Sequence, residues 1–355
     1  MMTTPTPSTP VKFYVPASEA PDGRLPQTLD EYWGWAAEHT GVGEVGRYTW
    51  TLKTCLFLKA RGLPVSLVTT FPERGIVVSH RDFLPLHLRP RTDVFLVCIK
   101  PDRKEHTWAH FYVVQNAQDR IFTTRLASQA RQIMHWPQAH LLPRRPERAG
   151  RCENVRYFGR PMNLAPELAA PEWAADLRAR GFDWQAVAPD QWNDYRDVDV
   201  TVSVRAFDQA DGSQDHLLDP HSKPPSKLIN SWMAGVPAIV GNESAYRGVF
   251  QAPLDYLAAG SRDEVVAQLL RLRTDRGLYE AMAARGRERG RAFSEEAVCE
   301  QWKELIETEI VPAYERWMRQ SALVRIWATA RSVARFAATP GNLTGFRVYR
   351  ETAGA

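Results

Sequence analysis

Cysteine is scarce: the 355 residues hold four, Cys55, Cys98, Cys152 and Cys299, far apart and with no CxxC pair. That excludes a disulfide scaffold and the paired spacing of a structural zinc site, and it points to buried free thiols in a reducing compartment. Long hydrophobic runs are lacking too, since none approaches the roughly 18 apolar residues of a membrane-spanning helix. The opening MMTTPTPSTP has Pro and Thr but no apolar h-region, so it does not read as a signal peptide and the expected compartment is the cytoplasm. One-signed charge is missing from most of the chain. The net charge is +4, and residues 321–355 account for it, with Arg325, Arg331, Arg335, Arg347 and Arg350 against a lone Glu351. The rest of the chain is neutral overall, which argues against nucleic acid as the main partner, because that affinity comes from clustered phosphate-neutralising cations. No DxD-like pair of carboxylates sits at a strand end, so no metal and no cofactor are expected.

What is present supports a large core. Charged residues are 24% and apolar residues 44% of the chain, an ordinary globular balance. The length exceeds the roughly 250–300 residues at which single cores stop growing, so two domains are expected. There are twelve tryptophans. Core packing accounts for most, but indole faces also serve as platforms for sugar rings, and Trp33, Trp35 and Trp50 are candidates, with packing favoured for Trp50.

The hydrophobic pattern reads as two successive βαβ series. In the first, VKFYVPA (11–17) is a strand, RYTWTLKTCLFLKARG (47–62) a helix stopped by Gly62, and PVSLVTT, GIVVSH, DVFLVCIK and HFYVVQN four more strands. These continuous β-branched runs suit a parallel sheet buried on both faces. A helix is expected at about 123–135, and then HWPQAHLLPRRPERAG (135–150) as a linker. In the second series NVRYFG, DWQAVA, DVDVTVSVR, VPAIVGN and PLDYLAAG read as strands, with helices at 165–181 and 226–235. Ser261 and Glu264 form a capping box for a helix over 262–274. Ser294 caps a long last helix with an apolar stripe of Val298, Trp302, Leu305, Ile306 and Ile310. The fold class is therefore α/β, with two Rossmann-like doubly wound lobes and a C-terminal helical extension. Its expected parts are an N-terminal lobe at 11–145, a C-terminal lobe at 150–293, a closing helix at 294–320 tying the two lobes and kinked at Pro312, and a basic tail at 321–355.

The chemistry concentrates after DVDVTVSVR. That strand ends at Arg205; a loop with Lys223 leads to a helix starting at Ser226 and Lys227; Gly235 stops the helix before the next strand. Ligands of open parallel sheets bind at the carboxyl ends of strands. A helix N-terminus there presents free N–H groups and a positive dipole end, which suits a diphosphate. Ser226 as N-cap, Lys227 and Arg205 are the candidate diphosphate ligands, with Lys223 as a further donor-binding candidate; the competing reading is an ordinary crossover helix with a solvated lysine. In the first lobe, Gly41, Gly43 and Gly46 form a glycine loop fit either for close backbone approach to a donor or for a simple turn. His80, Asp102 and His106 follow strand ends. Each is a candidate acid, base or sugar ligand, with His80 and Asp102 preferred, or alternatively a capping or surface residue.

The segment SKLINSWMAGVPAIVGNESAY resembles the donor-binding segment of glycosyltransferases of the two-lobed GT-B architecture, near the large retaining group called family four. The resemblance rests on Asp199 in the preceding strand, Lys227-Leu228 at the helix start and the Ala234-Gly235-Val236-Pro237 turn, and it spans about residues 150–320. The first lobe follows the family in layout, through GVGEVGRYTWTLKTCLFLKARGLPVSLVTT. The resemblance implies a nucleotide-sugar donor held by the second lobe, a glycan or lipid-linked acceptor on the first, retention of configuration, and transfer without a metal. It has one departure: the two glutamates the family carries around this helix start fall here on Ser222 and Asn230. Asn230 is then a weaker ribose ligand, and Glu243 is the substitute candidate. Two alternatives stay open, a nucleotide-sugar epimerase on the same scaffold and a catalytically inactive nucleotide- or sugar-binding protein. Finally, SALVRIWATARSVARFA (321–337) interleaves arginines with large apolar residues and has no acid. As a helix it suits an anionic membrane interface, a packed helix with solvated arginines, or a subunit interface.

Overall fold

The computed structural model describes residues 9–20, 23–39, 46–85, 88–207 and 223–338. Eleven strands form two sheets among these residues, and every strand pair is parallel. The first sheet comprises β1 (Val11–Tyr14), β2 (Val65–Val68), β3 (Gly75–His80), β4 (Val94–Ile99), β5 (Phe111–Val114) and β6 (Ala130–Gln132), in the order β2-β1-β3-β4-β5-β6. The second comprises β7 (Asn154–Phe158), β8 (Asp183–Val187), β9 (Val200–Ser203), β10 (Ala238–Val240) and β11 (Leu257–Ala258), in the order β11-β10-β9-β7-β8. In each sheet the first strand lies between the second and the third. That is the doubly wound order, with a switch point beside the first strand. Composition explains the interior strands: VFLVCI of β4 and VTVS of β9 are buried at every position, as parallel strands covered on both faces must be. The edge strand β8, DWQAV, is mostly exposed.

Helices cover both sheets. In the first lobe α1 (Leu29–His39) precedes a longer helical segment made of α2 (Gly46–Tyr48), a π turn (Thr49–Lys53) and α3 (Thr54–Ala60). The second lobe holds α4 (Pro166–Ala169), α5 (Pro171–Ala179), α6 (Ser226–Ala234), α7 (Ser244–Val249), α8 (Arg262–Thr274) and α9 (Arg276–Gly290). The chain then returns through α10 (Glu295–Leu305), a π turn (Ile306–Ile310), α11 (Val311–Met318) and α12 (Ala322–Ala338).

One reading of the sequence is corrected, and two helices join those expected. No helix forms at 123–135. Short 3-10 turns at Arg120–Thr123 and Ala127–Gln129 lead into β6. Helices α1 and α9 lie where the sequence pattern is assigned no helix. The caps fare better: Ser261 Oγ accepts from Glu264 N at 3.1 Å and Ser294 Oγ from Ala297 N at 3.2 Å. Around Pro312, which lacks an N–H, the ladder widens into the π turn just ahead of it.

The return segment lies on the first lobe. Trp302 meets Phe13 and Trp50 edge to face, Tyr314 meets Phe95, Glu309 pairs with Arg131 at 2.7 Å, and Trp317 Nε1 donates to Thr92 O at 2.9 Å. One contiguous core runs from Phe13 and Val78 through Trp136 and Trp302 to Leu228 and Trp232, so the lobes share buried apolar surface. No helix among the described residues is long and apolar enough to cross a membrane.

Candidate functional site

The carboxyl ends of the two sheets meet across one cleft. From the first lobe come His80 at the end of β3, Asp102 after β4 and Asn116 after β5; from the second come Gly159 after β7, Arg205 after β9, Glu243 after β10 and the start of α6. Asn116 Nδ2 donates across the cleft to Lys223 O and to Ser244 Oγ, both at 3.1 Å. Lys223 Nζ reaches Asp102 Oδ2 at 2.7 Å.

On the second lobe Arg205, Lys227 and Glu243 converge. Thr201 on β9 and Ser231 on α6 share a hydroxyl hydrogen bond of 2.8 Å, and Ser231 Oγ donates back to Lys227 O at 2.8 Å. These bonds fix the first turn of α6 over the strand ends. The Lys227 side chain crosses Gly159, where a Cβ would stand 2.6 Å from Lys227 Cε and from the Tyr157 hydroxyl. Burial, with Arg205 adding to it, pulls the Lys227 ammonium down to about 8, and Glu243 offsets only part. Glu243 folds back over Gly241, where a Cβ would stand 2.6 Å from its Oε2. Its Oε1 accepts from Arg205 N at 2.8 Å. Among the described residues its buried Oε2 has no hydrogen-bond partner, and burial raises its pKa against the nearby cations. A buried orphan carboxylate oxygen is costly unless a ligand donor completes it. The Arg205 guanidinium is steadied by Asn163 Oδ1.

Each sequence candidate has a definite place. Arg205, Lys227 and Glu243 come together. Ser226 is the first helical residue, not the N-cap; Pro225 holds that position and no side chain caps the helix. Asn230 is turned to the linker, its Oδ1 accepting from Gln138 N at 3.1 Å, which corrects its reading as a ribose ligand. Lys223 is committed to Asp102 and does not stand free for phosphate. Asp199 is structural: buried at the start of β9, it binds Arg148 at 2.6 Å, Arg144 at 2.9 Å and the N–H groups of Glu153 and Asn154, each at 3.0 Å. It thereby ties the linker arginines to the second sheet.

His80 is buried and its Nδ1 accepts from Asp82 N at 3.1 Å. Burial lowers its pKa to about 4 despite Asp82, so it is a neutral ring with its proton on Nε2. Asp102 joins Lys223 to Arg103, which in turn grips Asp82 through two bonds of 2.8 and 3.1 Å. Burial raises the Asp102 pKa, but the Lys223 pair outweighs it and the net shift is downward. A carboxylate so paired is a weak base. His106 is buried against Pro85 O, and burial takes it down to about 3. Gly41 and Gly43 lie outside the described residues. Gly46 opens α2 with free space around it. Trp50 is core; Trp33 packs on His140 and Lys53, and Trp35 on Tyr48. Among the described residues no three His, Cys, Asp or Glu side chains cluster as metal ligands. The sequence reading passed over Gly159, Gly241, Tyr157 and Asn163; the signal for the first two was a glycine closing each strand run, NVRYFG and PAIVGN.

Solved structures resemble the chain. TarM has a TM-score of 0.47 at 10% identity, over 72% of this chain and 58% of TarM, so the chain spans less than two thirds of that protein's length. Anabaena Alr3699/HepE, solved with UDP, has a TM-score of 0.46 at 11% identity, over 71% of this chain and 88% of that one. Sucrose-phosphate synthase from Thermosynechococcus elongatus has a TM-score of 0.47 at 12% identity, over 73% and 78%. No family model matches the sequence, and no curated protein matches it. At such identities no residue's role transfers.

Proposed function

We propose that the chain is a glycosyltransferase that takes a sugar from a nucleoside diphosphate donor. The observation that carries the reading is the convergence of Arg205, Lys227 and the α6 N-terminus on Glu243, whose Oε2 has no partner among the described residues. The two cations and the first-turn N–H groups of α6 take the diphosphate. Glu243 Oε2 accepts a ribose hydroxyl, the donor its burial calls for. During transfer, negative charge grows on the leaving diphosphate, and Arg205 and Lys227 stabilise it in a partly dewatered site. With His80 neutral and Asp102 ion-paired, the leaving phosphate itself is the best base for the acceptor proton. That fits retention of configuration, turnover without a divalent metal, and a glycan acceptor entering from the first lobe, beside the Nε2–H of His80.

A calorimetric panel of UDP, GDP and dTDP tests the reading. One of them binds the native protein, Lys227→Ala weakens it by at least about tenfold through loss of a charge-assisted contact, and Glu243→Gln weakens it less while far-UV dichroism is unchanged. Unaltered affinity in a folded Lys227→Ala protein overturns the assignment. A magnesium-reversible loss of turnover in EDTA overturns the metal-free step.

A further inference from the structure

Among the described residues seven large apolar side chains stand exposed, and four of them are crowded into residues 323–327: Leu323 at 79%, Trp327 at 61%, Ile326 at 52% and Val324 at 47% exposure. They belong to α12, which is not a loose tail. Its opposite face is docked on the first lobe: Arg325 pairs with Asp93 at 2.8 Å, Ser332 Oγ donates to Thr107 O at 3.1 Å, Thr329 is buried, and Val333 packs on the core around Leu96 and Trp108. Docking therefore holds the apolar stripe of Leu323, Ile326, Trp327, Ala330 and Ala334 outward. A helix that only needed to cover the lobe would turn those groups inward.

The charge that the helix itself carries has one sign. Residues 322–338 contain no acid. The Arg331 guanidinium lies over the Trp327 ring at 5.0 Å. Arg331 and Arg125 both bear electrostatically on Arg335, so three guanidinium groups share one region of the surface.

We propose that the outward face of α12 docks on an anionic lipid surface, with Leu323, Ile326 and Trp327 entering the headgroup boundary and Arg331, Arg335 and Arg125 facing lipid phosphates. An apolar stripe bordered by arginines, with an indole at the edge, matches the chemistry of that interface. A second copy of the chain would bring its own arginines against these, so charge complementarity favours the lipid.

Flotation of the full chain tests this, whatever reaction the cleft performs. At low salt the protein floats with vesicles of phosphatidylcholine containing phosphatidylglycerol and stays at the bottom with phosphatidylcholine alone. The double variant Leu323→Ser, Trp327→Ser changes only exposed groups and so keeps its thermal midpoint, but its vesicle partitioning falls by about tenfold or more. Arg331→Glu lowers partitioning by at least about fivefold, as expected for charge near an anionic surface. Failure of the native protein to float with anionic vesicles at low salt overturns the proposal, and so does equal flotation of the double variant. A dimer in light scattering that the double variant loses, without flotation, assigns the face to self-association and overturns it as well.

Discussion

At the scale of single residues, the cleft is built as much by what is left out as by what is put in. Gly159 and Gly241 close β7 and β10, and the space above each is filled by a side chain of the candidate site, Lys227 in one case and Glu243 in the other. The cost is burial of a cation and a carboxylate that do not bond each other directly; both titrate away from their ordinary values. Lys227 is down to about 8, well below the ~10.4 of a free lysine. Between those two values the unfolded chain binds more protons than the native one, so this lysine makes stability rise with pH there and fall towards neutral pH. Ligand binding works the other way, because a diphosphate favours the charged ammonium. Nucleoside diphosphate affinity should therefore be steady up to about pH 8 and fall above it, approaching about tenfold per unit for a single required proton. Calorimetry between pH 7 and pH 9 checks this. The native protein should take up a fraction of a proton on binding near pH 8, and Lys227→Ala should show neither the slope nor the uptake. A flat native profile would mean that Lys227 does not touch the phosphates.

At the scale of elements, the readings that succeeded and failed separate by what each segment packs against. Buried parallel strands announce themselves, because β3, β4 and β9 need apolar groups on both faces. The meeting of Arg205 and Lys227 in the candidate site was legible for the same reason: they sit where such strands end and the next helix begins. Helix α9 was missed because RGLYEAMAARGRERG carries three glycines and a charged run, which reads as poor helix. The structure gives two of those glycines a purpose. A Cβ at Gly286 would lie 3.2 Å from Trp232 Cα, and one at Gly290 would lie 3.1 Å from Met233 Cα and N. Helix α9 thus crosses α6 at close range, and it braces the helix that holds Lys227. Lone-sequence reasoning cannot see such a crossing, since the partner lies some fifty residues away in the chain. The orientation of Asn230 was hidden likewise, because its partner Gln138 is in the linker. Gly290→Ala should then be destabilising despite the better helix propensity of alanine, by about 1–3 kcal/mol for overpacking against backbone. Chemical denaturation measures it; a stabilised Gly290→Ala protein would show that α9 has room to move off α6.

At the scale of the whole molecule, the two sheets turn their carboxyl ends towards each other, and the cleft between them is spanned by Asn116, Ser244 and the Lys223–Asp102 pair. Behind the cleft the return helices and the shared core from Phe13 to Trp232 join the lobes, so unfolding one lobe exposes apolar surface of the other. The first lobe has a titration weakness of its own, on the acid side of neutrality. His80, His106 and His110 are all buried there, and burial takes them to about 4, about 3 and about 3. Each works as a neutral ring in its place: His80 Nδ1 accepts from Asp82 N, His110 Nδ1 accepts from Leu96 N at 3.0 Å, and His106 lies against Pro85 O. In the unfolded chain all three protonate near pH 6.5. Below that value, and above the native ones, the unfolded state holds more protons, so stability is full above about 6.5 and drains away as pH falls. Because the lobes share a core, the loss should appear as one cooperative transition and not as melting of a single lobe. The expected fall is on the order of several kcal/mol between pH 7 and pH 5, a window above the range where the paired carboxylates Asp102 and Asp199 titrate. Denaturant unfolding followed by fluorescence and by far-UV dichroism at a series of pH values tests both parts. His110→Asn, whose amide oxygen can still accept from Leu96 N, should be less stable at pH 7 through lost packing and yet less sensitive to pH, with about one proton fewer in the slope. A native profile that stays level from pH 7 to pH 5 would contradict the buried neutral histidines. Two transitions separated in denaturant would contradict the shared core.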